Sequence, residues 1–283
     1  MNYVDVFYAS GEGLRLYARD YPGPEASPAP VLLCLPGLTR NSKDFAGIAA
    51  ELCKTHRVIC PDQRGRGRSA RDPNASRYQP DQYVLDMETL LNLLAIDKVV
   101  VIGTSLGGLM AMMMMARDPA RIAAAVLNDI GPELDPAGIA RIAGYVGKSA
   151  AIASWRDAAE QTARINGAAF ADYRHDDWLA MARDLYIQEG RVPVLDYDAA
   201  IAQGFANGSA APLLWPVFES LVGKPMLVLR GERSDILSAQ TVDEMRRRMP
   251  SLRALTVADR GHAPTLNEPA ARAAITEFLA RCV

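Results

Sequence analysis

The chain has 283 residues, 49% of them hydrophobic and 23% charged, which supplies apolar material for one large core or two smaller ones and excludes a disordered, collagenous or coiled-coil chain. With 31 Lys and Arg against 33 Asp and Glu the formal charge is −2, so no long-range field gathers nucleic acid or an anionic membrane, and the expected ligand is a small molecule without strong charge. Cys34, Cys53, Cys60 and Cys282 form no CxxC pair, the pattern of reduced packing thiols, and the first residues, with Asp5 and Glu12, lack the basic start and apolar run of a signal peptide, so a cytoplasmic location is expected.

Short β-branched runs alternate with longer helical stretches, the pattern of a mostly parallel sheet with helices on both faces. Val4 to Ala9 and Leu14 to Arg19 flank Gly11-Glu12-Gly13 as a hairpin. A proline-rich connection over 22–30 leads to strand Val31 to Leu35, a helix capped near Asn41 or Ser42, and strand Arg57 to Cys60. Helix Asp81 to Ala95 follows, then strand Val99 to Gly103, helix Leu106 to Arg117 and strand Ala123 to Asn128. Val99 to Ala116 runs eighteen residues without a charge, yet its glycines and Thr104-Ser105 read as buried strand, tight turn and buried helix rather than a membrane span, with Met112 to Met115 in the core. From Pro132 to about Pro212 the chain reads as an inserted helical layer, strand-like only at Val192 to Leu195. Alternation resumes with strand Pro225 to Arg230, helix Ser238 to Met249, strand Arg253 to Val257 and helix Pro269 to Arg281. The expected organisation is a core in two parts, 1–131 and 214–283, around a helical cap at 132–213.

Gly103-Thr104-Ser105-Leu106-Gly107 matches G-x-S-x-G where a strand ends and a helix begins, a turn sharp enough to present a serine hydroxyl and to require small residues on either side. A serine needs a base, and the chain offers three histidines. His56 enters a strand and His175 lies among charges in the insertion; His262, in the loop after the last strand, falls at the sheet edge where Ser105 emerges. The loop after strand Pro225 to Arg230 carries Asp235, the first choice for the acid that orients the imidazole; Asp129, which ends a strand at the same edge, competes with it. Two backbone N–H groups should meet the developing oxyanion, that of Leu106 and that of Leu38, freed by Gly37.

At these four segments, Leu35-Pro36-Gly37-Leu38, Asp62 to Ser69, Gly103 to Gly108 and Gly261-His262-Ala263-Pro264, the chain resembles the α/β-hydrolase fold superfamily, and most nearly its capped carboxylesterases. The resemblance implies an eight-stranded sheet with a helical cap after the sixth strand, a Ser105–Asp235–His262 triad, and an Arg64 tied to backbone or carboxylates in a loop beside the site. It departs from the family in Pro36-Gly37, where His-Gly is usual. Ser105 argues against the aspartate-nucleophile relatives, and Ala263 against carbon–carbon hydrolases, which commonly carry tryptophan after the histidine.

The arginine- and glycine-rich run from Arg64 to Arg71 is flanked by Asp62 and Asp72 and has no interleaved aromatics, so no nucleic-acid partner is expected. Trp155, Phe170, Trp178, Tyr186, Phe205, Trp215 and Phe218 lie in or beside the insertion; with Arg40 at the oxyanion turn, Trp155, Trp178 and Trp215 are the candidate pocket residues, in a cap without ionic anchors that favours an apolar substrate. The expected function is hydrolysis of small to medium, mainly apolar carboxylic esters through an acyl-enzyme on Ser105, with water as acceptor and no metal or organic cofactor. Alternatives on the same residues are a lactonase, a perhydrolase, a carbon–carbon hydrolase or a slow-turnover small-molecule receptor.

Overall fold

A computed structural model describes residues 2–25, 27–148, 152–206 and 214–282, except the side chains of residues 205 and 206; Phe205 and the expected boundary at 213 lie outside what is described. The hairpin is β1 (Val4–Ala9) and β2 (Arg15–Tyr21). Then come β3 (Val31–Leu35), a 3-10 turn (Ser42–Phe45), α1 (Ala46–Leu52), β4 (Val58–Asp62) and α2 (Pro80–Leu93). The G-x-S-x-G segment joins β5 (Val99–Thr104) to α3 (Leu106–Arg117), and β6 (Ile122–Asn128) follows. The insert holds α4 (Pro136–Tyr145), α5 (Trp155–Asn166), α6 (His175–Leu185), β7 (Tyr186–Glu189), β8 (Val192–Leu195) and α7 (Ile201–Ala206). After α8 (Trp215–Ser220) the chain closes with β9 (Met226–Gly231), α9 (Ala239–Arg248), β10 (Arg253–Val257) and α10 (Pro269–Leu279).

Eight strands form one sheet in the order β1-β2-β4-β3-β5-β6-β9-β10. It is parallel from β4 to β10, while β2 pairs antiparallel with both neighbours. The alternation of side chains along each strand divides the core in two. Leu33, Leu35, Val99 and Val101 face α2 and α3, packing with Met87, Leu91, Met110 and Met114. Leu32, Cys34, Val100 and Ile102 face α1 and α10, packing with Ile48, Leu52, Ile275 and Phe278. Both sheet faces are covered, which is why these strands read as unbroken apolar runs.

The insert differs from an all-helical layer. Tyr186–Glu189 and Val192–Leu195 pair antiparallel, turning at Gly190, whose φ of +56° suits a residue without Cβ. Around this hairpin Ala158, Phe170, Met181 and Leu185 make a small apolar cluster of their own. The insert is also tied down. Lys43 Nζ lies 3.0 Å from Asp196 Oδ2, and Asn41 Nδ2 donates to the Asp184 carbonyl at 3.0 Å. The Gly67 N–H donates to the Asp196 carbonyl, the Asp198 N–H donates to the Gly65 carbonyl, and a β-bridge joins Arg66 to Tyr197.

Candidate active site

Ser105 sits between β5 and α3 with φ 52° and ψ −116°, a strained conformation for a residue with a Cβ and the one that lifts its hydroxyl off the sheet edge. The turn closes only because its flanking residues are glycine: a Cβ at Gly103 would collide with the Gly107 carbonyl, and one at Gly107 with the Leu35 carbonyl. The Ser105 N–H donates to the Asn128 carbonyl at 2.9 Å, which locks the elbow to β6.

His262 Nε2 lies 2.8 Å from Ser105 Oγ, and His262 Nδ1 lies 2.8 Å from Asp129 Oδ2. The His262 side chain is 8% exposed and that of Asp129 is fully buried. Asp129 begins where β6 stops, between β5 and β9, one strand away from the serine. Its Oδ1 accepts the Gly231 N–H at 2.7 Å and its Oδ2 accepts the Ser234 hydroxyl at 2.6 Å. With the imidazole that makes three partners for a buried carboxylate, the number such a group needs to be tolerated in the interior.

Asp235 is not the carboxylate at the imidazole. Its oxygens take Arg141 of α4, at 2.5 Å from Nε and 2.9 Å from Nη2. Burial raises the Asp235 carboxyl, but the hydrogen bond and charge of Arg141 outweigh it and hold the group below its ordinary range, with a smaller contribution from His262. The loop after β9 therefore turns its serine toward Asp129 and its aspartate toward Arg141 of the insert. Ser234 went unnoticed in the sequence. Its Oγ also accepts the Ile236 and Leu237 N–H groups, at 3.2 and 3.0 Å, so one side chain fixes both the loop and Asp129. Ser234→Ala is expected to lower kcat for the reaction about tenfold with KM little changed, the effect of losing one hydrogen bond to a charged positioning group; steady-state kinetics of the purified variant checks it.

A second unforeseen residue is Asn128, fully buried. Its Nδ2 donates to Thr104 Oγ1 at 3.0 Å and to the Pro264 carbonyl at 2.8 Å, tying the loop that carries His262 to the strand that carries Ser105.

Leu106 opens α3, so its N–H has no carbonyl within the helix to bond. At the turn after β3, the Gly37 carbonyl accepts the Arg40 N–H at 3.1 Å; across a trans peptide this aims the Leu38 N–H the opposite way. The Leu38 carbonyl in turn accepts Arg66 Nε at 2.9 Å. Arg66 was not singled out in the sequence, whereas Arg64 behaves as the resemblance implies: fully buried, it meets Asp72, Asp86 and Glu12 at 2.5 to 2.6 Å. Together the two arginines set the loop that holds the turn.

A cavity of about 330 Å³ opens beside Ser105 and His262, between the sheet edge and the insert. Its size stands at the low end for small-molecule sites. Its wall corrects the expectation of an insert without ionic anchors. Arg40, Lys148, Asp44, Asp177 and Asp184 line it, with Gln161, Asn166, Tyr145 and Tyr173. Burial, then the neighbouring Asp44 charge, pushes the Asp184 carboxyl up against the pull of Arg40. Phe170 and Tyr186 do reach the cavity, as does Arg40.

The three tryptophans do not. Trp155 donates through Nε1 to Gln188 at 2.8 Å, and Trp178 packs on Tyr173 with ring centres 5.0 Å apart inside the insert. Trp215 donates to Glu133 at 2.9 Å and stands edge-on to Phe218 under the Arg248 guanidinium. Each half-buried indole finds a polar partner or an aromatic neighbour and none lines the cavity, Trp178 lying behind Tyr173 of its wall, so the assignment of Trp155, Trp178 and Trp215 to the pocket is corrected.

Residues 30–269 match the family described as alpha/beta hydrolase fold. A 3-hydroxybutyrate-oligomer hydrolase of Cupriavidus necator is 37% identical over 281 residues, covering 95% of this chain and 94% of that protein. A 2-(acetamidomethylene)succinate hydrolase of Mesorhizobium japonicum is 27% identical over 244 residues, 84% of this chain and 83% of that one. Among solved structures, an alpha/beta hydrolase of Novosphingobium aromaticivorans superposes with a TM-score of 0.93 at 45% identity, covering 99% of this chain and 98% of that chain.

Proposed function

The chain belongs to the α/β-hydrolase fold family, and on that premise we propose that it is a serine hydrolase that cleaves carboxylic esters of small hydroxy acids, short oligoesters among them. The observation that carries the chemistry is the pair of 2.8 Å contacts on the two ring nitrogens of His262. A carboxylate can only accept, so Nδ1 carries the proton that it gives to Asp129, and Nε2 is left with the lone pair that accepts the Ser105 hydroxyl. The imidazole is thereby held in the tautomer a general base needs.

Ser105 Oγ attacks the ester carbonyl carbon as His262 Nε2 takes its proton, and the oxyanion accepts the Leu106 and Leu38 N–H groups. His262 returns the proton to the leaving alcohol as the carbon–oxygen bond breaks. Water then enters and gives a proton to Nε2 as its oxygen attacks the acyl carbon, and Nε2 passes that proton to Ser105 Oγ as the bond between the acyl group and the serine breaks. Asp129 stays a carboxylate throughout and stabilises the imidazolium between these steps.

The substrate class rests on the cavity and on kinship. A chamber of about 330 Å³ walled partly by ionic and amide groups suits a short, polar ester better than a long acyl chain. A hydroxy acid joined head to tail is a polyester, and the Cupriavidus relative is named for such an oligomer.

The test is to incubate the protein with the linear dimer of 3-hydroxybutyrate and with p-nitrophenyl esters from acetate to decanoate, and to treat a parallel sample with diisopropyl fluorophosphate. Many turnovers of dimer and short esters are expected, falling off toward decanoate, together with one phosphoryl group per chain on the peptide that contains Ser105. A single stoichiometric burst without turnover, or turnover that survives full labelling of Ser105, would overturn the reading.

A further inference from the structure

The cavity wall next to the nucleophile carries a guanidinium that the bond-breaking steps do not use. A Cβ built on Gly37 would lie 3.4 Å from Arg40 Cγ and 3.8 Å from Ser105 Cβ, so the Arg40 side chain starts within one residue's breadth of the serine. Arg40 Nε and Nη2 each donate to Asp44, at 2.6 Å. That pairing occupies one edge of a planar five-donor fork and pins it across the 3-10 turn, four residues apart in sequence. Nη1 has no acceptor among the described residues; the side chain is 23% exposed, and Arg40 is one of the residues that line the cavity.

A pinned guanidinium with a free edge is a preorganised donor site for a carboxylate, because the ordering of the long side chain has been met by Asp44 before any ligand arrives. Lys148 adds a second cation to the same wall, whereas Asp177 and Asp184 add anions. Arg40 stands close enough to Asp184 for its charge to pull that carboxyl down, so the wall has room for one ligand carboxylate on its cations and would repel a second.

We propose that Arg40 is the specificity-determining residue of this site, binding through its free Nη1 edge the single terminal carboxylate of the ester substrate. The assignment rests on the serine-hydrolase reading and sharpens it: the preferred ester carries one free carboxylate, as a hydroxy-acid oligomer does at one end.

Two substrates that differ only at that end decide it, the free-acid dimer of 3-hydroxybutyrate and its methyl ester. The wild type is expected to prefer the free acid about tenfold in kcat/KM, and Arg40→Gln to bring the ratio of the two close to one, chiefly through KM for the acid. Arg40→Lys should keep part of the preference, since charge survives and the fork does not. A wild-type ratio near one, or an Arg40→Gln variant that loses both substrates equally with its ratio intact, overturns the proposal. Should Arg40→Gln fail to fold, the wild type still decides: butyrate is expected to inhibit p-nitrophenyl acetate hydrolysis competitively and butyramide to do so at least tenfold more weakly, and equal inhibition by both overturns it. If neither the dimers nor p-nitrophenyl acetate is turned over, the hydrolase reading has failed on its own. Butyrate affinity by calorimetry, tenfold weaker in Arg40→Gln if the assignment holds and unchanged if it does not, then judges Arg40 separately.

Discussion

Ser105→Ala is expected to lower kcat for ester hydrolysis by about 10⁴- to 10⁶-fold, with a folded protein and nearly unchanged substrate binding. The Ser105 hydroxyl makes one side-chain contact, to His262 Nε2 at 2.8 Å, and removing it leaves the Cβ and the strained backbone of the turn as they are. What survives is the pair of N–H groups at Leu38 and Leu106 and the cavity itself, which can still polarise a carbonyl toward water. His262→Ala should fall to a similar level, and the double variant should be little worse than either single one, because two residues that act in one step are not additive. Circular dichroism with single-turnover kinetics tests both halves. A Ser105→Ala variant within tenfold of wild type would remove the proposed nucleophile.

Asp129→Asn is expected to lower kcat by about 10⁴-fold, whereas Asp235→Asn should stay within about threefold of wild type. In the first variant the amide oxygen can keep the Gly231 N–H, which turns the amide N–H₂ toward His262 Nδ1. A donor there forces Nδ1 to accept and moves the ring proton to Nε2, where it faces the serine and blocks proton abstraction. In the second variant the imidazole keeps its partner and only the Arg141 bridge is lost.

That bridge has its own signature. Arg141 holds the Asp235 carboxyl below its ordinary range against the upward push of burial, so the folded state binds this proton less readily than the unfolded chain. The stabilisation is therefore present above the unfolded value of about 3.9 and is lost as pH falls through the lower folded value. Both partners are about one-third exposed, 33% and 39%, which keeps the effect under about 1 kcal/mol. The melting temperature of Asp235→Asn should lie slightly below wild type at pH 7, and the gap should close in acid below about pH 4. Loss of most activity in Asp235→Asn, with Asp129→Asn nearly intact, would reverse the assignment of the acid.

The fold and the serine elbow were legible because their signals are local. The elbow glycines are dictated by contacts within a few residues and the neighbouring strand, and the apolar runs of β3 to β6 follow from a sheet covered on both faces. Asp129 and Asp235 could not be ranked that way. Both follow strands that end at one edge, and what separates them is that β6 lies directly beside β5 and that the loop after β9 turns Ser234 inward in place of its neighbour. The rotation of one residue along a loop leaves no trace in composition. Tryptophan size was equally visible and equally uninformative, since the bulk of an indole says that it will be buried and nothing about which side of a helix holds the ligand. Of the β7–β8 hairpin only Val192 to Leu195 read as strand-like; its partner Tyr186–Glu189 has four residues, too few for alternation to stand out from the helical stretch before it.

The strip from Asp196 to Asp198, held by Gly65, Arg66 and Gly67, gives the insert an unequal capacity for change. The same short loop that grips this strip also sends Arg66 to the Leu38 carbonyl, so the roof of the chamber and the cradle for the oxyanion hang from one hook. Exchanging the cavity-facing side chains of α5 and α6, while keeping the Asp184 carbonyl on Asn41 and the Ala169 carbonyl on the Gly261 N–H, alters the ceiling and can retune which molecules fit. Exchanging the strip would tilt the cradle as well. A breeder of new substrate ranges, natural or deliberate, therefore has a safe seam and an unsafe one within a single insertion, and the two lie on opposite sides of the β7–β8 hairpin.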